Sequence, residues 1–451
     1  MAVAKTHDLT QGNIGRQLLL FALPLLGSSF VQQLYNTVDL WCAGFFVSKG
    51  AMAAVGASSM ITTCLVGFFT GVSVGMSVLI ANAYGAGDRE KIRRGINSSV
   101  TIGILVGAIL MIAGMAGAPV FLNWLHTPSV IFADSVLYIR IYFLSMIPLV
   151  IYNICSGVIR ALGNSRAPLL MQAAGGIVNV ILDLVLVHVM ENGIAGVALA
   201  TLFSQGISAC LAIRWLRKGG AGETFLLERL ILDKKILAEV IRLGVPAGLQ
   251  TLVIALSNAI VQYEVNGFGI GAMAAFAAYL KVELPVYLPL VALGQAVMTF
   301  SGQNMGARKT ERLQKGVRIC MGMGILYALA ASFLLILFGE GVFGLFSRDP
   351  QVIAYGNLLI RITFPLYFIY AVLEVLADAI RGAGKSLAPM IIILLNICVL
   401  RSVVLIILIQ KMGDLRAVGI SYPAAWLACA VSLIIFWKTR FVNTQLRSNR
   451  I

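Results

Sequence analysis

The stretch Ile159-Arg160-Ala161-Leu162-Gly163-Asn164-Ser165-Arg166-Ala167-Pro168 recurs as Ile380-Arg381-Gly382-Ala383-Gly384-Lys385-Ser386-Leu387-Ala388-Pro389. The residue types at six of the ten positions are identical, and the two copies lie 221 residues apart (380 − 159). The segment Gly50–Ala54 recurs at Gly271–Ala275 with the same offset and no gap. Chance does not give this agreement, so the chain is an internal duplication of one structural unit.

The composition places both copies in a membrane. Of the 451 residues, 59% are hydrophobic and 12% are charged, whereas about a quarter of the residues of a soluble domain are charged. Apolar runs of about 20 residues or more recur from Leu18 to Trp437, which excludes disordered, disulfide-scaffold and soluble multidomain proteins. The predicted spans are roughly 17–47, 52–82, 96–123, 133–160, 168–190, 194–216, 238–268, 272–303, 317–344, 354–381, 387–410 and 417–438.

Each copy therefore holds six spans, and an even number gives both copies the same orientation. We expect an all-α membrane protein in which twelve transmembrane helices form two six-helix bundles related by a pseudo-two-fold axis along the membrane normal. The predicted boundaries are 1–216 for the N-lobe, 217–237 for a basic cytoplasmic linker and 238–451 for the C-lobe. We expect a monomer in contact with membrane lipid.

The basic residues indicate the orientation. The formal net charge is +15, and 26 of the Lys and Arg residues fall in the termini and in alternate loops. The opposite loops carry four, namely Lys49, Arg348, Lys411 and Arg416. By the positive-inside rule both termini are predicted to be cytoplasmic in a prokaryotic inner membrane, and no nucleic-acid partner is needed to explain the charge.

Two carboxylates are predicted deep in the N-lobe. Asp39 and Asp183 precede the outer ends of their spans by about 12–15 Å, and Thr201 on the next span reaches the same depth. The repeat places Val404 opposite Asp183 and Leu400 opposite Asn179. An architectural residue would be expected in both copies, so this difference favours a functional role, and it predicts a second half that serves mainly as an apolar wall.

The spacing on each span gathers further oxygen atoms. Tyr35 lies one turn before Asp39, and Asn179 lies one turn before Asp183. With Thr201 these side chains suit a coupling Na⁺, held by Asp39, Asn179, Asp183 and Thr201, and two close carboxylates equally suit a proton. The sequence leaves open the choice of ion, and a satisfied structural cluster is the alternative; no other cofactor is expected.

Weaker candidates complete the predicted site. The polar residues that could line a substrate cavity are Asn36, Glu283, Glu374 and Asp378. Pro24 can kink the first span, which makes that helix a candidate hinge or simply a statically bent helix. No metal-dependent, nucleotide-binding or Ser/His/Asp motif occurs, so an enzyme is not expected.

The repeated Arg-x-x-Gly-x-Ser motifs, the Gly85-Ala86 and Gly306-Ala307 loops and Asn179-x-x-x-Asp183 together resemble the multidrug and toxic compound extrusion (MATE) family, in the branch typified by DNA-damage-inducible protein F. The resemblance implies export of cationic or amphipathic small molecules through a cleft between two lobes, against Na⁺ or H⁺ entry. It also implies a cation site at Tyr35, Asp39, Asn179, Asp183 and Thr201, with Asn153 nearby. The alternative is a lipid-linked precursor flippase of the same superfamily.

Overall fold

The computed structural model describes residues 8–47, 49–124, 127–189, 193–218 and 232–442, and within these ranges it contains helices and connecting turns but no strand. Residues 219–231 of the predicted linker lie outside the described residues. The α-helices are α1 Ile14–Cys42, α2 Lys49–Ala86, α3 Arg89–Trp124, α4 Ser129–Leu144, α5 Met146–Ala161, α6 Arg166–Asp183, α7 Gly193–Arg217, α8 Lys234–Gly267, α9 Ile270–Gly306, α10 Thr310–Leu337, α11 Gly339–Gly344, α12 Pro350–Thr363, α13 Tyr367–Gly382, α14 Leu387–Ile393, α15 Arg401–Met412 and α16 Arg416–Trp437.

The predicted number of spans is confirmed. In the described part of the chain, eleven helical segments are long and apolar enough to cross a membrane, and the bent pair α4 and α5 makes the twelfth. The all-α membrane fold is therefore the one that the duplication predicts.

Two predicted spans are broken helices. The predicted span 133–160 bends by 45° between α4 and α5. The Ser145 hydroxyl donates to the Tyr142 carbonyl at 2.6 Å, and Pro148 in the first turn of α5 has no N–H to continue the α4 ladder. The predicted span 354–381 is interrupted by a 3₁₀ turn at Phe364–Leu366, which contains Pro365.

The helices form two compact units. The first contains Met1–Leu9 and Leu23–Gly248, and the second contains Thr10–Ala22 and Leu249–Ile451. Two long helices, α1 and α8, therefore contribute residues to both units. In the second unit the Lys309 ammonium donates to the Thr10 carbonyl at 2.9 Å, and Arg312 donates to the Gly12 carbonyl at 2.9 Å.

Helix α8 begins with a capped first turn. The Asp233 carboxylate accepts hydrogen bonds from the backbone N–H groups of Lys235 at 2.8 Å and Ile236 at 3.3 Å. These hydrogen bonds stabilise the charged carboxylate and hold the pKa of Asp233 below its usual range. This cap fixes where the helix starts after the predicted linker.

Close backbone contact between α3 and α5 depends on glycine. A Cβ atom on Gly107 would lie 2.6 Å from the Ile147 Cα atom, and one on Gly103 would lie 3.2 Å from the Ile151 Cα atom. Small residues four apart let helix backbones approach where lipid supplies no hydrophobic driving force.

We expect Gly107→Ala to lower stability by about 1–3 kcal/mol, because the methyl group would collide with backbone rather than with a flexible side chain. The thermal unfolding midpoint of the purified protein measures this. The matched control is Gly322→Ala on α10, where an added Cβ meets no atom within 4 Å and the change should be neutral or stabilising by up to about 1 kcal/mol. Equal destabilisation by both substitutions would contradict the packing role of Gly107.

Candidate ion-binding site

Asp39 and Asp183 lie together in the interior of the first unit. Asp39 is on α1 and is 7% exposed, and Asp183 is the last residue of α6 and is fully buried. Each carboxylate lies next to a rare π-helical turn, at Ala43–Val47 after α1 and at Leu184–Val189 after α6. Such turns often mark functional positions in helices.

Two polar partners that the sequence predicted, Asn179 and Thr201, lie at these carboxylates. Asp39 interacts with Asp183, Asn179 and Thr201. The Thr201 hydroxyl on α7 faces both the Asp39 Oδ2 atom at 3.4 Å and the Val197 carbonyl at 3.2 Å, so its single proton is shared between two acceptors. Within the described residues, Asp39 Oδ1, both oxygens of Asp183 and both amide atoms of Asn179 are buried without a hydrogen-bond partner.

The negative charge of these carboxylates is not balanced by a cation among the described residues. No Lys or Arg side chain in the described part of the chain interacts with either carboxylate. A charged group at membrane depth costs about 2.5–3.5 kcal/mol even on insertion scales, and two adjacent carboxylates repel each other unless one is neutralised. The unpaired oxygens of Asp39, Asp183 and Asn179, with the Thr201 hydroxyl, form a donor set that fits a hard cation such as Na⁺ and equally a shared proton.

Tyrosine side chains surround the carboxylates. Tyr35, one turn before Asp39, interacts electrostatically with it. Tyr138 and Tyr142 on α4 do the same, and their rings stack with centroids 6.0 Å apart. Sequence reasoning missed this α4 pair, although its i, i+4 spacing was the available signal.

The other candidates of the first unit, Asn153, Asn36 and Pro24, form none of the contacts described above for Asp39 and Asp183. The Asn153 amide donates to the Leu149 carbonyl of its own helix at 3.0 Å. Asn36 is exposed on α1. Pro24 lies inside the unbroken helix α1, and its carbonyl accepts a hydrogen bond from the Ser28 hydroxyl at 3.2 Å.

The second unit is not the apolar wall that the repeat predicted. Arg401 begins α15, is 3% exposed, and donates to Ser257 Oγ at 3.0 Å and to Asn258 Oδ1 at 2.8 Å. Its guanidinium lies 4.9 Å from the Tyr422 ring centroid. Glu283 is within electrostatic range of Arg401 and accepts a hydrogen bond from Tyr367 at 2.8 Å.

The 221-residue offset shows why position-by-position comparison missed this cluster. It pairs Thr201 with Tyr422, Asn36 with Ser257 and Val180 with Arg401. The second unit thus carries the positively charged side chain of Arg401 directly after Leu400. Leu400 is the counterpart of Asn179, which belongs to the acidic cluster of the first unit. Both copies thus hold a buried charged residue, but the charges have opposite sign, and Arg401 lies three positions before Val404, the counterpart of Asp183.

The other acidic candidates of the second unit lie along α13. Tyr370 donates to Glu374 at 3.2 Å. Asp378 is buried and forms an ion pair with Arg381, and Arg381 also donates to the Gln250 side chain at 3.0 Å. Glu374 and Glu283 are partly exposed, whereas Asp378 is not.

Comparison with known proteins agrees with this duplication. The MatE family profile matches residues 24–185 and again residues 246–407, so the second match begins 222 residues after the first. The probable multidrug resistance protein YoeA of Bacillus subtilis is 28% identical over 96% of this chain and 94% of its own length. A protein named FAD transporter from Shewanella oneidensis is 24% identical over 90% of each chain. Among solved structures, a MATE transporter in the bent conformation superimposes with a TM-score of 0.92 at 19% identity, covering 99% of this chain and 100% of the other.

In the described residues, up to twelve apolar spans, in the two sets that the family profile matches, define a polytopic membrane protein of a transporter family. The two profile matches together span well over half of the chain, and the chain belongs to the MATE family of multidrug efflux transporters.

Proposed function

We propose that this transporter is a secondary antiporter that exports cationic or lipophilic compounds in exchange for H⁺ or Na⁺. The Asp39–Asp183 pair is the proposed coupling site. The observation that carries the proposal is the set of buried carboxylate and amide atoms that have no partner among the described residues.

Such a pair supports coupling because its free energy changes strongly with occupancy. Loaded with one proton or one Na⁺, the pair carries one negative charge fewer than when it is empty, so less uncompensated charge is held away from water. When the cluster is empty, a conformation that admits water to Asp39 and Asp183 is therefore favoured. An ion can drive a conformational change only through such differential affinity for two states.

The proposed substrate class rests on the second unit. Glu374 and Glu283 are partly exposed acids beside aromatic rings, including Tyr370 and Trp426, whose centroids lie 5.6 Å apart. Carboxylates and aromatic faces both attract organic cations. The name of the Shewanella oneidensis relative makes FAD a necessary second compound in the assay.

The deciding experiment is efflux from proteoliposomes with Na⁺ and pH gradients varied independently. A fluorescent organic cation and FAD are tested in parallel. Cation efflux that follows one of the two gradients is the expected result. Efflux of neither compound, or efflux indifferent to both gradients, would overturn the antiport proposal, and movement of a lipid-linked precursor in the same vesicles would favour the flippase alternative.

The proposed orientation places both termini in the cytoplasm of a bacterial inner membrane. The excess of basic residues in the termini and alternate loops supports it. Labelling of a cysteine introduced at Lys411, an exposed residue near the end of α15, in a variant without the seven native cysteines should then occur from outside intact cells.

Pro24 is the proposed bending point of α1. The proline has no N–H for the Leu20 carbonyl, and the division of α1 between the two units falls between Ala22 and Leu23. We expect Pro24→Ala to reduce gradient-driven efflux at least about fivefold, a small coupling free energy, while drug binding in detergent changes less.

The matched control is Pro119→Ala, inside α3, which lies wholly in the first unit. It should leave the ratio of transport to binding unchanged. Equal losses of transport and binding in Pro24→Ala, or no loss, would favour direct competition at a rigid site.

A further inference from the structure

An apolar groove runs between α10, α13 and α16 of the second unit. Its volume is about 530 Å³. Val317 and Leu376 are buried and form its floor, and the partly exposed Met321 and Ile434 form its sides. The groove is thus shaped for aliphatic chains.

The polar end of this groove is basic. Arg318 on α10 and Lys438, directly after α16, both line it and are exposed. Neither side chain has a hydrogen bond or an ion pair with any described residue, and the lining includes no acid. Trp437, beside Lys438, adds the kind of aromatic ring that collects at membrane interfaces.

The depth of Arg318 suits a headgroup contact. Helix α10 has 28 residues, so it is about 42 Å long and exceeds the hydrocarbon core by roughly 6 Å at each end. Arg318 lies eight residues after the first residue of the helix, about 12 Å along the axis, so its Cα atom lies just inside the core. A long basic side chain at that depth extends to the headgroup layer.

We propose that this groove binds one anionic phospholipid, with its phosphate group at Arg318 and Lys438 and an acyl chain along Val317, Met321 and Ile434. Charge complementarity selects this occupant: two cations that have no ion pair with any described residue lie at the end of an apolar channel. Basic pockets between membrane helices recognise acidic headgroups in this way.

A second groove in the first unit provides an internal comparison. It has a volume of about 660 Å³ between α5 and α7 and is apolar along Phe203 and Ile207, but Arg214 is the only charged residue among the described residues that line it. If acyl contacts alone retained lipid, both grooves would hold neutral and anionic lipid alike.

The test is native mass spectrometry of the full-length protein released from nanodiscs with equal amounts of phosphatidylglycerol and phosphatidylcholine. We expect the wild type to retain phosphatidylglycerol preferentially. The double variant Arg318→Gln/Lys438→Gln should lose about fivefold to 25-fold of this preference, since each basic residue near a headgroup contributes roughly a factor of five.

Two controls separate charge from folding. Arg318→Lys/Lys438→Arg preserves both charges and should keep the preference, and Arg214→Gln, which leaves both basic residues of the proposed site in place, should lower it less than the double glutamine variant does. Equal retention of the two lipids by the wild type, or an unchanged preference in the double glutamine variant with a normal unfolding midpoint, would overturn the proposal. If the double glutamine variant does not fold, loss of the preference in the single variants Arg318→Gln and Lys438→Gln supports the proposal, and its retention overturns it.

Discussion

Asp183→Asn is expected to reduce gradient-driven efflux about 100-fold, to the level of uncoupled leakage, for every substrate tested. Asp183 is fully buried and both of its oxygens lack a partner within the described residues, so its charge is the one that only a bound ion or proton can compensate. Coupling free energies of 1–3 kcal/mol correspond to changes of this size. Proteoliposome efflux under an imposed gradient measures it.

The thermal stability of Asp183→Asn should not fall as its efflux does. Replacing an unpaired buried carboxylate by an amide removes a desolvation cost, so the unfolding midpoint of Asp183→Asn should be unchanged or higher. Asp134→Asn, the same substitution at an exposed position on α4 of the same unit, should affect neither efflux nor midpoint. Wild-type coupling in Asp183→Asn would refute the proposed site.

Glu374→Gln tests whether the second unit takes part in ion coupling. If Glu374 attracts cations without taking part in coupling, this variant should weaken transport of some cationic drugs and leave ion-coupled efflux of others intact. Loss of all efflux and of ion binding in Glu374→Gln would require a coupling site in the second unit.

Asp378→Asn is expected to lower the free energy of unfolding by about 3 kcal/mol. Asp378 and Arg381 form an ion pair with side chains 5% and 11% exposed, and removal of one partner leaves the other charge buried. Arginine cannot neutralise itself by releasing a proton. Thermal unfolding in a single detergent measures the effect.

The exposed pair Asp414–Arg416 supplies the matched control. The Arg416 Nε and Asp414 Oδ2 atoms are 3.6 Å apart, and the Asp and Arg side chains are 45% and 60% exposed. Asp414→Asn should therefore cost no more than about 1 kcal/mol. Adding Arg381→Met to Asp378→Asn should recover at least half of the lost stability, whereas further loss would show that the charge imbalance is not the cause.

Much of the architecture follows from local sequence patterns. Apolar runs set the spans because the membrane has a fixed thickness, and the 1.5 Å rise per residue correctly placed Asp39, Asp183 and Thr201 together. Pro148 and Pro365 mark the two broken helices, but proline is tolerated in an intact helix at Pro24, so the residue type alone does not predict a break.

The second-unit network was not predictable from the repeat. Comparing equivalent positions showed Val404 opposite Asp183 and suggested an apolar surface. The compensating polar groups Ser257, Asn258 and Arg401 come from helices far apart in sequence. Tertiary partners of this kind leave no periodic signal on a single helix.

The contacts of the first residues with the second unit have a consequence for biosynthesis. Gly12 receives its hydrogen bond from a residue 300 positions later, which a ribosome at 5–20 residues per second reaches roughly 15–60 s afterwards. The segment Thr10–Ala22 is therefore synthesised well before Arg312, and most of the intervening chain is inserted before the two can make contact. The first unit, by contrast, is complete in chain order once Gly248 has been added. Final assembly of the second unit thus depends on an early segment of the nascent chain remaining available until late in translation.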